Sequence, residues 1–350
     1  MGINNIILED AKRIAEELKK ELSVLEGKTF LVTGGTGFIC SYLLDVVYYL
    51  NENVFKNPCK IICLDNLANS KTTRIDHLFS RPYFTFINQD VSLPVNYQEN
   101  IDFIVHGASL ASPILYREQP IQTIDANSLG TRNMLFLALE KKVKSFVYIS
   151  SSEIYGDPTE NNVPTPETYW GNVSSIGPRS CYDESKRLGE ALCMAFFNKH
   201  NVPVKIIRPF NIFGPGMAKD KRVMSDFINN GLKQEPIVMF SKGEDTRTFC
   251  YISDAIEGFF RVLLSDFNGE AFNIGNDEKE ISMIDLAKLI SQIFGGKLDV
   301  VQKINQDANY LKDNPKRRCP DLSKARNMLN YRPKISLKTG IERTIKSGLV

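Results

Sequence analysis

The sequence predicts an α/β fold, a doubly wound parallel sheet with a smaller mixed α/β lobe. Three observations carry this expectation. Short apolar runs alternate with helical stretches between Thr29 and Arg208, the pattern of a parallel sheet covered on both faces. A glycine turn, Gly34-Gly-Thr-Gly37, separates the first run from a helix. After Arg208 the alternation becomes irregular and richer in Gly, Pro and charge. That suits a lobe capping the C-terminal edge of the sheet, where ligands of such folds bind.

In chain order, Ile7, Ala11, Ile14, Leu18, Leu22 and Leu25 recur at helical spacing, with Glu and Lys on the other face. They predict one amphipathic helix over Ile7–Leu25, stopped by Gly27. It either packs on its own domain or serves as an arm at a subunit contact. Strands are expected at 29–33, 60–64, 84–88, 103–106, 145–150 and 204–208, and helices from the glycine turn to about Leu50 and over 127–141, 182–200, 253–264 and 282–294. The expected organisation is an N-terminal helical extension (1–27), then a dinucleotide-binding domain (28–210, joined by about 250–275). A substrate lobe follows, over 211–249 and 276–350.

Composition narrows the function. The 350 residues carry 43 Lys+Arg against 41 Asp+Glu, a net charge of +2, so no basic footprint for nucleic acid is expected. No apolar stretch reaches the roughly 18 residues of a membrane span, and no apolar signal core opens the chain. Seven scattered cysteines, none in a C-x-x-C pair, argue against a disulfide framework or a zinc site. A cytoplasmic protein without a metal is expected.

Strand, Gly34-x-x-Gly37, helix is the arrangement in which backbone N–H groups meet a pyrophosphate at a helix N-terminus. Asp65 closes the next strand, where a carboxylate accepts from ribose hydroxyls and repels a 2′-phosphate. NAD is therefore the expected cofactor of a Rossmann-type domain. Phe38 and Ile39 open the helix over the turn, Asn66 follows the acidic strand end, and Asp90 ends the third strand where the adenine would lie. The Asp65 spacing exceeds the usual value of about 20 residues, as a loop insertion around 51–57 would explain. The third position of the glycine pattern is Cys40, small enough to be tolerated with a local shift.

Tyr182 and Lys186 share one helix face at i and i+4. An ammonium beside a phenol, with a positive nicotinamide ring, would lower the tyrosine from its usual pKa of about 10 towards that of a base. Ser150-Ser-Ser-Glu-Ile-Tyr-Gly156 supplies hydroxyls at the same sheet edge. With these residues in view, the chain from 28 to about 345 resembles the extended short-chain dehydrogenase/reductase family acting on nucleotide sugars. That resemblance implies a tightly held NAD oxidising a sugar carbon, usually C4.

The segments Ser151-Ser152-Glu153, Tyr169-Trp-Gly-Asn172, Ile176-Gly-Pro-Arg-Ser-Cys-Tyr-Asp-Glu-Ser-Lys186, Thr246-Arg-Thr-Phe249 and Lys316-Arg-Arg-Cys-Pro-Asp321 are similar to the UDP-glucuronate decarboxylase branch. The branch implies catalytic roles for Ser151, Ser152, Glu153, Tyr182, Lys186 and Arg318, with Tyr182 and Lys186 also touching NAD. It implies substrate contacts from Arg179, Asn211, Arg247 and Arg318, with Arg179 holding a carboxylate bidentately. A C4 ketone makes the substrate a β-keto acid, which loses carbon dioxide readily. A 4-epimerase or 4,6-dehydratase on another nucleotide sugar is the alternative. A 4,6-dehydratase would show Asp-Glu where this chain has Ser152-Glu153. The branch usually reads Gly-Pro-Arg where this chain reads Gly214-Pro-Gly216, which leaves the nucleotide and sugar open. The family commonly forms homodimers through the helix bearing the Tyr and Lys, and Leu188, Leu192, Ala195 and Phe196 suit a buried face there, whether of a subunit contact or of the core.

Overall fold

The apolar runs expected as strands all enter one parallel sheet: β1 (Thr29–Thr33), β2 (Lys60–Asp65), β3 (Phe84–Asn88), β4 (Phe103–His106), β5 (Ser145–Ile149) and β6 (Val204–Pro209). The computed structural model describes residues 3–217, 222–303 and 312–349, so parts of the expected extension and lobe lie outside the described residues. Helices up to β6 are α1 (Asn5–Glu17), α2 (Lys19–Leu22), α3 (Phe38–Asn53), α4 (Pro113–Glu118), α5 (Pro120–Asp125), α6 (Thr131–Lys141) and α7 (Ser180–His200). Beyond it lie short strands β7 (Ile212–Phe213), β8 (Ile237–Met239), β9 (Thr246–Arg247) and β10 (Cys250–Tyr251). The remaining strands are β11 (Glu270–Ile274), β12 (Ile281–Ser282), β13 (Val300–Gln302) and β14 (Arg317–Arg318). The remaining helices are α8 (Val223–Leu232), α9 (Ile252–Leu263), α10 (Met283–Ile293), α11 (Ser323–Leu329) and α12 (Leu337–Ser347).

The seven-stranded sheet runs β11-β6-β5-β4-β1-β2-β3. Successive side chains point to opposite faces, so Phe30 and Val32 join the apolar layer under α1, α3 and α9, while Leu31, Ile62 and Leu64 join the layer under α6 and α7. Strand order reverses between β1 and β4, and the crevice at their carboxyl ends is where such sheets take ligands. The seventh strand, β11, reads Glu-Ala-Phe-Asn-Ile and lacks a continuous apolar run. Its pairing with β6 alone makes it a strand.

The N-terminal segment departs from the single helix expected. Leu18 leaves helical geometry at φ −107° and ψ 25°, and α2 and a 3₁₀ turn over Ser23–Leu25 follow. The break re-aims the last turns so that Leu18, Leu22 and Leu25 remain fully buried. The apolar stripe packs within its own chain, on α3, α9 and α12. Buried Asp10 accepts from Tyr251 at 2.8 Å and from Arg343 at 2.9 Å, and Arg13 donates to Asp254 at 2.8 Å. Ile14 is fully buried in this layer. Ile14→Ala is expected to cost about 2–5 kcal/mol through lost contacts and the cavity left behind, read as a lower urea midpoint with an unchanged slope.

Candidate active site

The site begins where β1 turns into α3. Gly34 sits at φ +70°, and a Cβ there would lie 2.9 Å from the backbone of Ala108, so only glycine fits. Gly37 caps α3 without a side-chain hydrogen bond, leaving N–H groups of the first turn, including those of Phe38 and Ile39, facing the crevice. Cys40, in place of the third glycine, is buried against Gly107 at the end of β4, where any side chain would collide with its sulfur. The close packing lost on the helix is restored by the glycine just past β4. The extra spacing before Asp65 is partly helix, since α3 runs to Asn53.

Asp65 Oδ2 accepts from the Thr36 amide at 3.1 Å and hydroxyl at 2.7 Å, and Oδ1 accepts from the Leu67 amide at 2.9 Å. Asn66 donates to Asp90 at 2.9 Å, tying the segments after β2 and β3 together. Burial works against the Asp90 charge, but hydrogen bonds from Ser92 and Asn66 outweigh it and hold the carboxyl below its usual value. Ser109 and Ser112, after β4, and Ser150, after β5, have buried hydroxyls with no partner among the described residues. A bare helix N-terminus, a glycine cradle and orphaned hydroxyls along one crevice fit a dinucleotide. No metal-ligating cluster occurs among the described residues.

Across the crevice, α7 places Tyr182 and Lys186 on its buried face. Gly189, one turn on, lets the helix close against Tyr148, where a side chain would collide with the ring. Lys186 Nζ donates to the Ile149 carbonyl at 2.8 Å and stands 5.8 Å from the Tyr182 ring centroid. Tyr182 stacks on Tyr116, with centroids 5.1 Å apart. Burial pushes Tyr182 up to about 12, despite a hydrogen bond from Ser151, so the lowering expected of the lysine and the nicotinamide ring together has burial to overcome. Burial also brings Lys186 down to about 7. Both charged forms are disfavoured by the same dry surroundings.

Ser151 caps the 3₁₀ turn Ser152–Tyr155, its hydroxyl accepting from the Glu153 amide at 3.2 Å. Glu153 accepts from Arg318 through two bonds, at 2.7 and 2.5 Å, and pairs with Arg179 as well. Burial opposes its charge, but the two guanidiniums outweigh burial and keep Glu153 ionised. Arg179 is therefore engaged by Glu153 on one side, with Asp183 3.6 Å away on the other. Arg318 reaches the cluster because β14 runs parallel to β9, placing it beside Arg247. Arg247 is buried and donates to the carbonyls of Thr246, Pro315 and Lys316 at 2.7, 2.5 and 3.0 Å. No carboxylate pairs with it among the described residues, and burial and Arg318 bring it down to about 10. Carbonyls leave the charge of this guanidinium without a counter-ion among the described residues. Asn211, at φ +41°, donates to the Thr248 carbonyl at 2.8 Å and fastens the loop after β6 to this wall.

The structure thus joins Ser151, Ser152, Glu153, Arg179, Tyr182, Lys186 and Arg318 on one wall, with Asp65, Asn66 and Asp90 farther along the sheet edge. Thr36, Ser109, Ser112, Tyr116 and Asp183 escaped sequence reasoning. The serines could have been found from the hydroxyl-rich stretch that follows β4. At Gly216, φ +79°, the amide donates to the Leu349 carbonyl at 2.6 Å, and a Cβ would lie 3.3 Å from Arg74 Nε. The neighbourhood of the missing arginine is thus filled by another guanidinium, bound to Asp45.

This sheet, with its glycine turn and Tyr–Lys helix, defines an extended short-chain dehydrogenase/reductase. The chain belongs to the NAD dependent epimerase/dehydratase family, whose model matches residues 30–275. It is 40% identical to UDP-glucuronic acid decarboxylase 1 of Arabidopsis thaliana over 317 residues, covering 90% of this chain and 68% of that one. The epimerase Mth375 of Methanothermobacter thermautotrophicus superposes with a TM-score of 0.81 at 26% identity, covering 95% of each chain. The UDP-glucuronic acid 4-epimerase of Bacillus cereus, solved with UDP-glucuronic acid and NAD, gives a TM-score of 0.75 at 26% identity, covering 91% of this chain and 98% of that one.

Proposed function

We propose that this protein decarboxylates UDP-glucuronate through a 4-keto sugar, yielding UDP-xylose or the UDP-4-ketopentose. The observation that carries this reading is Glu153 clamped by Arg179 and Arg318 beside Tyr182, a set of carboxylate-binding groups next to an oxidation site. The similarity to UDP-glucuronic acid decarboxylases supports it. Gly34, Gly37 and the amides of Phe38 and Ile39 would hold the pyrophosphate of NAD, with Asp65 at the ribose and Asn66 and Asp90 at the adenine. Bound NAD supplies a hydride acceptor and a positive ring facing the buried phenol.

Ser151 and Ser152 hold the C4 hydroxyl, and Tyr182 takes its proton as the C4 hydrogen leaves with its electron pair. Lys186, anchored on Ile149, orients the nicotinamide ribose. Arg247 meets the diphosphate. Arg179 and Arg318 orient the sugar carboxylate, whose bond to C5 then breaks with its electrons moving towards the C4 ketone. Glu153 manages the proton that replaces carbon dioxide at C5. Exposed Ile121, Leu129, Phe136 and Leu188 (63%, 43%, 48% and 47%) leave an apolar face on and between α5, α6 and α7, which supports a homodimer formed there. The seven cysteines are all free, which suits a reducing cytoplasm. No helix among the described residues is long and apolar enough to cross a membrane.

The test is incubation of the NAD-loaded protein with UDP-glucuronate, following product mass and released carbon dioxide. A product lighter by one carbon dioxide is expected. A product of unchanged mass with inverted C4 supports 4-epimerisation instead. No turnover by folded, NAD-loaded protein sinks the decarboxylase reading.

A further inference from the structure

Asp183 follows the proposed base in sequence, yet the chemistry above leaves it without a task. Its side chain is buried within the guanidinium–carboxylate cluster, and the residue is 4% exposed. Arg179 Nε lies 3.6 Å from Asp183 Oδ2, too far for a hydrogen bond, and Oδ1 is buried with no partner among the described residues. A loose ion pair to a guanidinium already bonded to Glu153, with the other oxygen unpartnered, leaves an ionised Asp183 poorly compensated. The groups whose charges bear on it are Glu153 from the turn after β5, Arg179 from the turn before α7 and Arg318 from β14. Tyr116 from α4, and Cys181 and Tyr182 on its own helix, adjoin it. Burial and the neighbouring Glu153 charge push Asp183 well above the usual carboxylate range. Glu153 bonds both guanidiniums and Asp183 hydrogen-bonds neither, so the proton resides on Asp183.

We propose that neutral Asp183 is the specificity-determining residue of the sugar-carboxylate site. With Asp183 neutral, Arg179 and Arg318 against Glu153 leave one positive charge in surplus, which a substrate carboxylate neutralises. Its carboxyl proton is a further donor for that anion. Ionised Asp183 cancels the surplus and places a like charge beside the incoming carboxylate. Preference for a carboxylated over an uncharged nucleotide sugar therefore falls as pH rises. The inference rests on the reading of this cluster as a carboxylate site.

The experiment measures, with NADH-loaded protein, which cannot oxidise the sugar, the ratio of affinities for UDP-glucuronate and UDP-glucose across the neutral-to-alkaline range. Lys186 titrates there too, and its lost charge also weighs on the carboxylate, so the part of the fall owed to Asp183 is the part that Asp183→Asn removes. The ratio is expected to fall about tenfold, a shift of one unit in the shared proton equilibrium. Asp183→Asn, neutral at every pH, should keep a higher ratio with a shallower slope. A flat ratio in the unaltered protein, or an unchanged slope in Asp183→Asn, overturns the inference. Should that variant fail to fold, calorimetry of the unaltered protein in buffers of different ionisation enthalpy decides. Extra proton uptake with UDP-glucuronate over UDP-glucose at alkaline pH is expected, and equal uptake overturns the inference. Decarboxylation with a flat ratio sinks this inference alone, whereas no preference for UDP-glucuronate at any pH sinks the site reading with it.

Discussion

Tyr182→Phe is expected to lower turnover of the sugar nucleotide by about 10²–10⁴-fold, the usual contribution of a positioned acid–base group. Thermal unfolding should barely move, because the ring keeps its stack on Tyr116 and only the hydroxyl is lost. KM should change little for the same reason, so the loss appears in kcat. The pH dependence gives a second readout. Burial keeps the Tyr182 phenol protonated at neutral pH, and below its pKa the ionised fraction grows about tenfold per pH unit. In the unaltered enzyme kcat/KM should climb with pH, less steeply where the bound cofactor's charge has already lowered the phenol. The Phe variant should lack that limb. Full turnover by Tyr182→Phe would reassign the base.

Arg208→Ala is expected to destabilise the fold by about 3–5 kcal/mol, the cost of stranding a buried ion partner. Arg208 donates to both oxygens of Glu190, at 2.9 and 2.6 Å, and its third nitrogen reaches the Tyr155 hydroxyl and the Glu167 carbonyl. Glu190 lies one turn beyond Lys186 on α7, so this fork joins α7 to β6 and to the turn carrying Glu153. Urea unfolding should show the loss in the midpoint. The double replacement Arg208→Met with Glu190→Leu should recover part of it, because two apolar side chains leave no stranded charge. A single variant as stable as the unaltered protein would mean that solvent reaches Glu190 more freely than its burial implies.

The strands and the Tyr182–Lys186 pair were legible because their signals are local. Short apolar runs bounded by turn residues mark buried strands, and i,i+4 spacing puts two side chains on one helix face in any context. The glycine turn was legible for the same reason. The break at Leu18 was not: the apolar spacing continues through it, and only packing on α3 decides where the helix gives way. Strand β11 was hidden because its Glu and Asn interrupt the run, and pairing with β6 overrides that weak local preference.

The charge states of the site divide along the same line. From the sequence alone came the fold class, the cofactor crevice and the residue types that could handle a proton and an anion, since each rests on neighbours within a few positions. Tertiary structure decided which guanidinium meets which carboxylate. Glu153 and Arg318 are 165 positions apart and meet only through the register of β14 on β9. Cys40 fits only because Gly107 faces it from just past β4. Burial, which no local pattern specifies, raises Tyr182 and Asp183 and lowers Lys186. Ionisation depends on the dielectric and charges gathered from the whole fold, whereas helix and strand propensities depend on adjacent residues.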